Sequence, residues 1–172
     1  MDFFQTVEAR HSIREYRQEP IPAGTLNLIL EAANLAPSAG NLQAFEIYVV
    51  TDAALRQQLA DAAGGQGFLS GAAAILIFAA HPARSAARYG RRGTRLYAVQ
   101  DATIACAYAT LAATAAGIGA TWVGAFHDQA VREVLDLPEG IVPVALLPMG
   151  FPAEEPAARP RRKLSELVHI IE

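Results

Sequence analysis

The sequence predicts a three-layer α/β/α sandwich, in which helices cover both faces of one central sheet. Short apolar segments of strand length alternate along the chain with segments of helical periodicity. The chain has 172 residues and 52% hydrophobic content, which is enough for one complete core and short for two. We therefore expect a single domain over residues 1–172. The residue pattern alone leaves the strand directions open.

The amino-terminal part of the chain predicts two helices. Asp2 is a candidate N-cap for a first helix over residues 2–10. The second helix has apolar residues at helical spacing between residues 26 and 33, and it must stop at Pro37 because the residue before a proline disfavours helical geometry. The loop "PSAGNLQ", residues 37–43, follows directly.

The middle of the chain predicts two strands on either side of a helix. Residues 45–50 and 74–80 are apolar runs of strand length, and residues 53–63 between them have helical composition, with Asp52 as a candidate cap. The glycine-rich residues 64–71 predict a flexible connector. After the second strand, residues 81–95 predict a basic loop.

The second half of the chain predicts four further elements. Its longest helix begins at residue 96 and ends at Gly117 or Gly119. The elements after this helix are a third strand over residues 120–126, a helix over residues 128–137 capped by Asp128, and a fourth strand over residues 141–152.

The end of the chain, residues 151–172, predicts an arm laid over a surface. It is rich in proline and charge at first and then becomes amphipathic. Leu164, Leu167 and Val168 lie in that amphipathic part and must be buried somewhere.

Composition and charge exclude several classes of function. The formal net charge is -3 and the pI is about 5.8, so the chain lacks the basic field that nucleic acid or anionic lipid requires. The amino terminus does not resemble a signal peptide, and no apolar window is long enough to span a membrane. The single cysteine, Cys106, provides neither a disulfide framework nor a metal site. We expect a cytoplasmic protein without metal, membrane or nucleic-acid partners.

Catalysis by protein side chains alone is not indicated. The sequence contains no phosphate loop, nucleophile elbow, dinucleotide fingerprint or metalloprotease motif, and its four histidines are scattered. If the chain is an enzyme, the chemistry therefore belongs to a cofactor, and the protein supplies binding and electrostatics.

Two arginine clusters are candidates for binding the anionic end of such a cofactor. Arg10, Ser12 and Arg14 form the first, and the second is Arg159, Arg161 and Arg162. Guanidinium groups bind phosphate bidentately, and a serine adds a hydroxyl donor. The alternative is that both clusters are solvated surface charge.

Two other segments have features suited to a flat ligand. Asn41 and Gln43 bring side-chain amides to the loop after the second helix, although an ordinary proline-terminated loop is the alternative. Gly124 lies within an apolar strand, where the missing side chain lets a ligand approach the backbone. The alternative for Gly124 is a bulge or a close helix contact.

The order and the residues of these segments resemble those of the FMN-dependent nitroreductases. The segments that carry the resemblance are "ARHSIREY", "APSAGNLQAFEIYVV", "YAVQDATIACAYATLAATAAGIGATWVGAF", "LLPMGFP" and "RRKLSELVH". They extend from residue 8 to residue 169. The resemblance implies a nitroreductase-like α+β fold with a central, mostly antiparallel sheet.

The resemblance also implies roles for individual residues. Arg10 and Ser12 match positions that bind the FMN phosphate and ribityl chain, His11 stands beside them, and Arg14 matches the basic residue near flavin N1 and O2. Pro37, Ser38 and Ala39 match the segment that reaches the isoalloxazine from the partner subunit, and Asn41 and Gln43 match polar positions of that loop. Trp122, Val123 and Gly124 match the strand whose backbone N–H groups face flavin N5 and O4. Arg161, with Arg162 as its alternative, matches the carboxy-terminal phosphate ligand.

The implied activity is that of an FMN oxidoreductase with ping-pong kinetics. NADH or NADPH would deliver hydride to flavin N5 and then be replaced by a nitroaromatic, quinone or similar small acceptor, with no catalytic side chain. The resemblance implies a homodimer with FMN at its interface. The alternatives are a flavin dehydrogenase or synthase of the same fold, and a non-catalytic FMN-binding module.

Overall fold

The computed structural model describes residues 1–171, so Glu172 of the predicted arm lies outside the described residues. Within residues 1–171, seven α-helices accompany four strands. The elements are α1 (Phe3–Ala9), α2 (Ala23–Asn34), β1 (Phe45–Val50), α3 (Ala53–Ala62), α4 (Phe68–Gly71), β2 (Ala74–Ala80), α5 (Pro82–Arg92), α6 (Ala98–Ala115), β3 (Gly119–Ala120), α7 (Asp128–Val134) and β4 (Val142–Gly150).

The four strands form one antiparallel sheet in the order β1-β2-β4-β3. Phe45 pairs with Ala80 across β1 and β2, and Ala74 pairs with Met149 across β2 and β4. The α+β class and the antiparallel sheet are thus confirmed. The family resemblance implied that neighbouring strands are mostly antiparallel, whereas the residue pattern alone left the strand directions open.

The core lies on both faces of β2, every residue of which is buried. Leu76 and Phe78 point into one cluster with α2 and α6, while Ile75 and Ile77 point into another with α3 and α7. Successive side chains of a strand face opposite sides of the sheet, so both faces of β2 must be apolar. This explains the uninterrupted run "AILIFAA" and confirms the three layers.

Three residues predicted at helix ends have that role. Asp2 caps α1 by accepting from the Gln5 N–H at 2.9 Å, and the Gln5 side chain accepts in return from the Asp2 N–H at 2.9 Å. Asp52 caps α3 by accepting from the Leu55 N–H. Gly117, with φ of 75°, terminates the turn after α6.

The prediction of a loop over residues 81–95 was wrong, because this segment contains α5 and then a π-helical turn, Gly93–Tyr97, which leads into α6. His81 caps α5 and Pro82 occupies its first turn, where a proline suits a helix. One glycine of this segment has a packing role. A Cβ on Gly93 would lie 2.5 Å from the carbonyl oxygen of Ser85, so this glycine permits close packing.

Three other boundaries also differ from the predictions. The connector 64–71 ends in the short helix α4. The third strand is confined to β3, with a single further bridge from Val123 to Leu146. Helix α7 ends at Val134 and is preceded by His127 at the N-cap position, so Asp128 is its first residue and not its cap.

The carboxy-terminal arm begins in contact with the domain and ends exposed. The Arg17 N–H donates to the Phe151 carbonyl at 2.8 Å, and the Ala153 N–H donates to the Glu15 carbonyl at 2.9 Å. Farther along, Leu164 is 75% exposed, and Leu167 and Val168 are more than half exposed. The expected burial of these three side chains therefore does not occur within one chain.

Candidate functional site

A cleft of about 270 Å³ lies between the segment after α1 and the carboxy-terminal arm. We call it the arginine cleft. Its lining residues are Arg10, His11, Ser12, Arg14, Pro156, Ala157, Arg159 and Arg161. The two arginine clusters that the sequence singled out, one at each end of the chain, thus line a single cavity.

Backbone pairing with Ala120 holds the first of these segments. The Ile13 N–H donates to the Ala120 carbonyl at 3.1 Å, and Ser12 forms a parallel bridge with Ala120 at the outer edge of β3. Ile13 is buried, whereas Ser12 and Arg14 on either side of it line the cleft. Alternation along an extended segment therefore aims the serine hydroxyl and the guanidinium into the cavity.

Tyr16 and Glu154 fix the same segment from behind. The buried Tyr16 hydroxyl donates to the Ile13 carbonyl at 2.6 Å. Desolvation raises the pKa of Tyr16 although the nearby Arg14 charge opposes this, so the phenol stays protonated and remains a donor. The Glu154 carboxylate accepts from the backbone N–H groups of Arg14 and Glu15. These anchors use backbone groups and leave the Arg14 guanidinium free of them.

The arginine cleft is strongly positive. Ion pairs in residues 1–171 join Arg17 to Glu19, Arg84 to Glu46 and Arg162 to Glu166. None of them involves the four arginines of the cleft, and no carboxylate lines it. Four guanidinium groups without a carboxylate partner favour an anion that carries more than one charge, such as a phosphate ester.

His11 and Arg162 differ in how they relate to this cavity. His11 lines it, with its Nδ1 atom 3.0 Å from the Ala9 carbonyl oxygen, so that its other ring nitrogen is left for a ligand. Arg162 does not line it. Its guanidinium donates to the Glu166 carbonyl at 2.8 Å and pairs with the Glu166 carboxylate. Of the two predicted alternatives, Arg161 is the one at the cleft.

The segment Trp122–Gly124 runs past the end of β3. The Val123 N–H donates to the Leu146 carbonyl at 2.9 Å, so Val123 is not free to donate to a ligand. Backbone groups alternate along a strand, so the N–H groups of Trp122 and Gly124 face the other edge, where Ser12 pairs with Ala120. The predicted set of three backbone donors is therefore reduced to two.

Gly124 has no neighbour that requires glycine. A Cβ at this position would meet only Trp122, at an ordinary contact distance of 3.4 Å from Nε1, and the residue has no positive φ. The Trp122 side chain itself is 40% exposed. Open space beside the backbone is compatible with the close approach of a flat ligand.

The loop after α2 lies elsewhere. Pro37, Ser38 and Ala39 line a separate cavity of about 520 Å³ together with Tyr97 and one side of α6. Gly40, Asn41 and Gln43 have φ values of 58°, 57° and 48°, which make this a tightly turned segment. Within one chain, the structure does not bring this loop and the arginine cleft to a common cavity.

Asp101 organises this loop, and the sequence reasoning missed it. The carboxylate lies in α6, is 1% exposed, and accepts from the Ala39 N–H at 2.9 Å and the Ala44 N–H at 3.3 Å. These two hydrogen bonds, one on each side of the turn, hold the loop in place. The available signal was a single carboxylate within the alanine-rich run "YAVQDATIACAY".

Other sources of chemistry are weak in the described part of the chain. Cys106 is fully buried, and desolvation raises the pKa of its thiol, which makes it a poor nucleophile. Residues 1–171 contain no cluster of three or more histidine, cysteine or acidic side chains arranged for a metal ion. The helices described over the same residues include none with the length and apolar character needed to cross a membrane.

The antiparallel sheet between helical layers, with an arginine-lined cleft at its edge, defines an α+β protein suited to holding an anionic ligand. A sequence profile described as the nitroreductase family matches residues 7–68 and 63–151. The chain belongs to the nitroreductase family and is an oxidoreductase.

Individual relatives are similar over nearly the whole chain. An NADH dehydrogenase from Thermus thermophilus is 34% identical over 92% of this chain and 91% of its own length. An FMN reductase [NAD(P)H] from Bacillus subtilis is 31% identical over 93% and 70%. The structure of NADPH:FMN oxidoreductase from Vibrio harveyi complexed with NAD+ aligns with a TM-score of 0.90 and 29% identity, and covers 98% of this chain and 76% of that one.

Proposed function

We propose that this chain is an FMN-dependent oxidoreductase that takes hydride from NADH or NADPH and passes it to a nitroaromatic, quinone or similar small acceptor. The names of the relatives support a flavin and a nicotinamide, since one is an FMN reductase and another an NADPH:FMN oxidoreductase. The choice of FMN over other flavins rests on the residues of this chain.

The arginine cleft is the observation that carries the proposal. FMN has one phosphate monoester, a doubly charged group with acceptor oxygens on every side. Arg10 and Arg161 supply guanidinium donors from opposite ends of the chain, and Ser12 supplies a hydroxyl. His11 adds a ring nitrogen at the same wall. These donors, with no carboxylate in the lining, fit that phosphate.

The rest of the proposed site follows the edge of β3. Arg14 lines the cleft two residues after Ser12, which pairs with Ala120 of β3, and we assign it to the developing negative charge near flavin N1 and O2. The free N–H groups of Trp122 and Gly124 would orient the ring. Bound FMN supplies the hydride chemistry at N5. No side-chain acid or base of this chain is assigned a step, and donor and acceptor would occupy the same space in turn.

The same proposal includes a homodimer with two interfacial sites. Phe3 and Phe4 are 65% and 80% exposed, and Ile170 and Ile171 of the arm are also exposed. Apolar side chains in this number favour burial against a second copy. The loop 37–39, which lies apart from the arginine cleft in one chain, would then complete the cleft of its partner. We extend the proposal to a single-domain enzyme of the cytoplasm, where the lone thiol of Cys106 stays reduced.

Purified protein tests the proposal most directly. It should be yellow, release about one FMN per chain on denaturation, and lose its visible absorbance when NADH or NADPH is added without oxygen. Bound FMN that neither nicotinamide reduces would favour the non-catalytic module. A colourless protein with no affinity for added FMN would refute the proposed function.

A further inference from the structure

The segment 84–95 is a second strongly basic part of the chain, apart from the arginine cleft. It contains five arginines and no carboxylate. Arg84 is paired with Glu46 at 2.7 Å, whereas the other four form no ion pair with any residue in the described range 1–171. The arginine cleft does not include any of them. Their charge is therefore not used by the proposed phosphate site.

Two of these arginines are held against aromatic rings. The guanidinium carbon of Arg88 lies 5.4 Å from the centroid of the Tyr89 ring, and that of Arg92 lies 5.4 Å from the Tyr97 ring. The two tyrosine rings meet edge to face at 5.1 Å. Arg92 Nε also donates to the Tyr97 hydroxyl at 2.9 Å. We call these four residues the arginine–tyrosine cluster.

The local backbone explains why the cluster forms. Gly90 adopts φ 52° and ψ -137°, which interrupts α5 and brings Tyr89 back toward Tyr97 on the π-helical turn. Arg88 Nη1 approaches the Gly40 carbonyl at 3.4 Å. A Cβ on Gly40 would come within 2.7 Å of that same Nη1 atom, so glycine here admits the guanidinium. The side chains are positioned before any ligand arrives.

The cluster borders the cavity of the loop 37–39. Tyr97, which accepts a hydrogen bond from Arg92, lines that cavity together with Gln100 and Ile104. Arg88 approaches Gly40, the residue directly after the loop 37–39. The cavity volume is about 520 Å³, and its wall is mostly apolar, with Ser38, Gln100, Asp101 and Thr103 among its polar members. The carboxylate of Asp101 faces backbone N–H groups and does not neutralise the arginines.

We propose that Arg88 and Arg92 bind phosphate groups of the nicotinamide donor and so determine its affinity. This inference rests on the proposed function, because the loop 37–39 is the part of the chain expected at the flavin ring. Nitroaromatics and quinones carry no phosphate, whereas NADH carries a pyrophosphate and NADPH an additional 2′-phosphate. The cluster is therefore a donor site, and its two guanidinium groups recognise phosphate oxygens in either position.

Direct binding to the FMN-loaded protein separates the two phosphate positions. Calorimetric titrations would compare adenosine, ADP and adenosine 2′,5′-bisphosphate with wild type, Arg88→Gln and Arg92→Gln. Glutamine keeps a donor toward Gly40 or Tyr97 and removes the charge. We expect each variant to lose about 5- to 30-fold in affinity for the phosphorylated fragments, below the full effect of a charged hydrogen bond because water screens the site. Adenosine binding should not change.

Arg91→Gln is the matched control, since Arg91 lies in the same segment and, within residues 1–171, forms neither a hydrogen bond nor a cation–π pair with either tyrosine. A loss confined to the bisphosphate assigns the cluster to the 2′-phosphate, and a loss for both fragments assigns it to the pyrophosphate. Either result supports the proposal. Equal losses in all three variants, or no loss in any, would overturn it.

Steady-state reduction distinguishes this inference from the proposed function. The KM for NADH or NADPH should rise about 5- to 30-fold in Arg88→Gln and Arg92→Gln, while dihydronicotinamide riboside, which has no phosphate, should keep its rate. If wild type is not reduced by any of the three donors, the proposed function fails. If the riboside loses as much as NADPH, only the phosphate assignment fails.

Discussion

Removing either of two arginines from the arginine cleft should weaken FMN binding. Arg10 directly follows α1 and is half-buried, and Arg161 comes from the carboxy-terminal arm, yet both line the same 270 Å³ cavity. Arg10→Ala and Arg161→Ala each delete one guanidinium that has no ion pair within residues 1–171. Because neither side chain forms such a pair, the fold should tolerate both changes.

The expected loss follows from the strength of hydrogen bonds to a charged group. Each such bond contributes about 1.5 to 3 kcal/mol, which corresponds to roughly 10- to 150-fold in the dissociation constant. Arg161 is exposed, so its effect should lie near the lower end, and that of half-buried Arg10 should be larger. If both contact one phosphate, the double variant should deviate from additivity by about 0.5 kcal/mol or more.

Titration of apoprotein with FMN, followed by quenching of flavin fluorescence, measures these constants. Arg17→Ala is the control, since Arg17 follows the same segment but pairs with Glu19 and lies over Phe151. Its affinity should stay within about twofold of wild type, because surface pairs contribute little. Unchanged affinity in both Arg10→Ala and Arg161→Ala would refute the phosphate site and leave the clusters as solvated surface charge.

Four further outcomes are expected. Arg14→Met should lower the flavin reduction potential by roughly 20 to 65 mV in a spectroscopic redox titration at saturating FMN. A contact worth ~1 to 3 kcal/mol more in the reduced state shifts the potential of a two-electron couple by that amount. An unchanged potential with weaker FMN binding would assign Arg14 to the phosphate. Asp101→Ala should lower the free energy of unfolding by about 2 to 4 kcal/mol in urea denaturation, because two N–H groups lose their acceptor; a loss below about 0.5 kcal/mol would contradict the role assigned to this carboxylate. Cys106→Ala should keep near-normal turnover, whereas a loss beyond about 100-fold with FMN bound would indicate a missed catalytic group. Light scattering at micromolar concentration should give a homodimer, and a monomer that binds FMN tightly would exclude an interfacial site.

The sequence predicted those parts of the fold that local pattern controls. The β2 run "AILIFAA" could only be a strand buried on both faces, and Asp2 and Asp52 had the chemistry of helix caps. The prediction of a basic loop over residues 81–95 failed. Within residues 81–95, Gly93 packs against Ser85 and the segment is helical. Composition does not distinguish a glycine required by close packing from one that loosens a loop.

The sequence allowed the residues of the candidate site to be predicted, but not their positions relative to one another. Arg10 and Arg161 were identified separately, and their spacing of about 150 residues gave no indication that they meet. They meet because residues 15–17 pair with residues 151–153, through hydrogen bonds such as that from the Ala153 N–H to the Glu15 carbonyl. Backbone pairing between distant segments depends on the whole sheet, and no local periodicity encodes it. For the same reason, the engagement of the Val123 N–H by Leu146 was not foreseen.

The apolar side chains of the carboxy-terminal arm, which are not buried within one chain, favour burial against a second copy. Leu164, Ile170 and Ile171 are 75%, 82% and 94% exposed, although the sequence required apolar residues of this segment to be buried. Burying each such side chain is worth about 1.5 to 3 kcal/mol, so an arm left in water forgoes several kcal/mol. Helices α1, α2 and α6 together expose an apolar cleft of about 520 Å³ lined by residues such as Phe3, Tyr108 and Leu111. In the proposed homodimer, a second copy would supply both the surface that the arm lacks and the loop 37–39 that is proposed to complete the arginine cleft. The requirement for burial and the incomplete site therefore have the same physical solution.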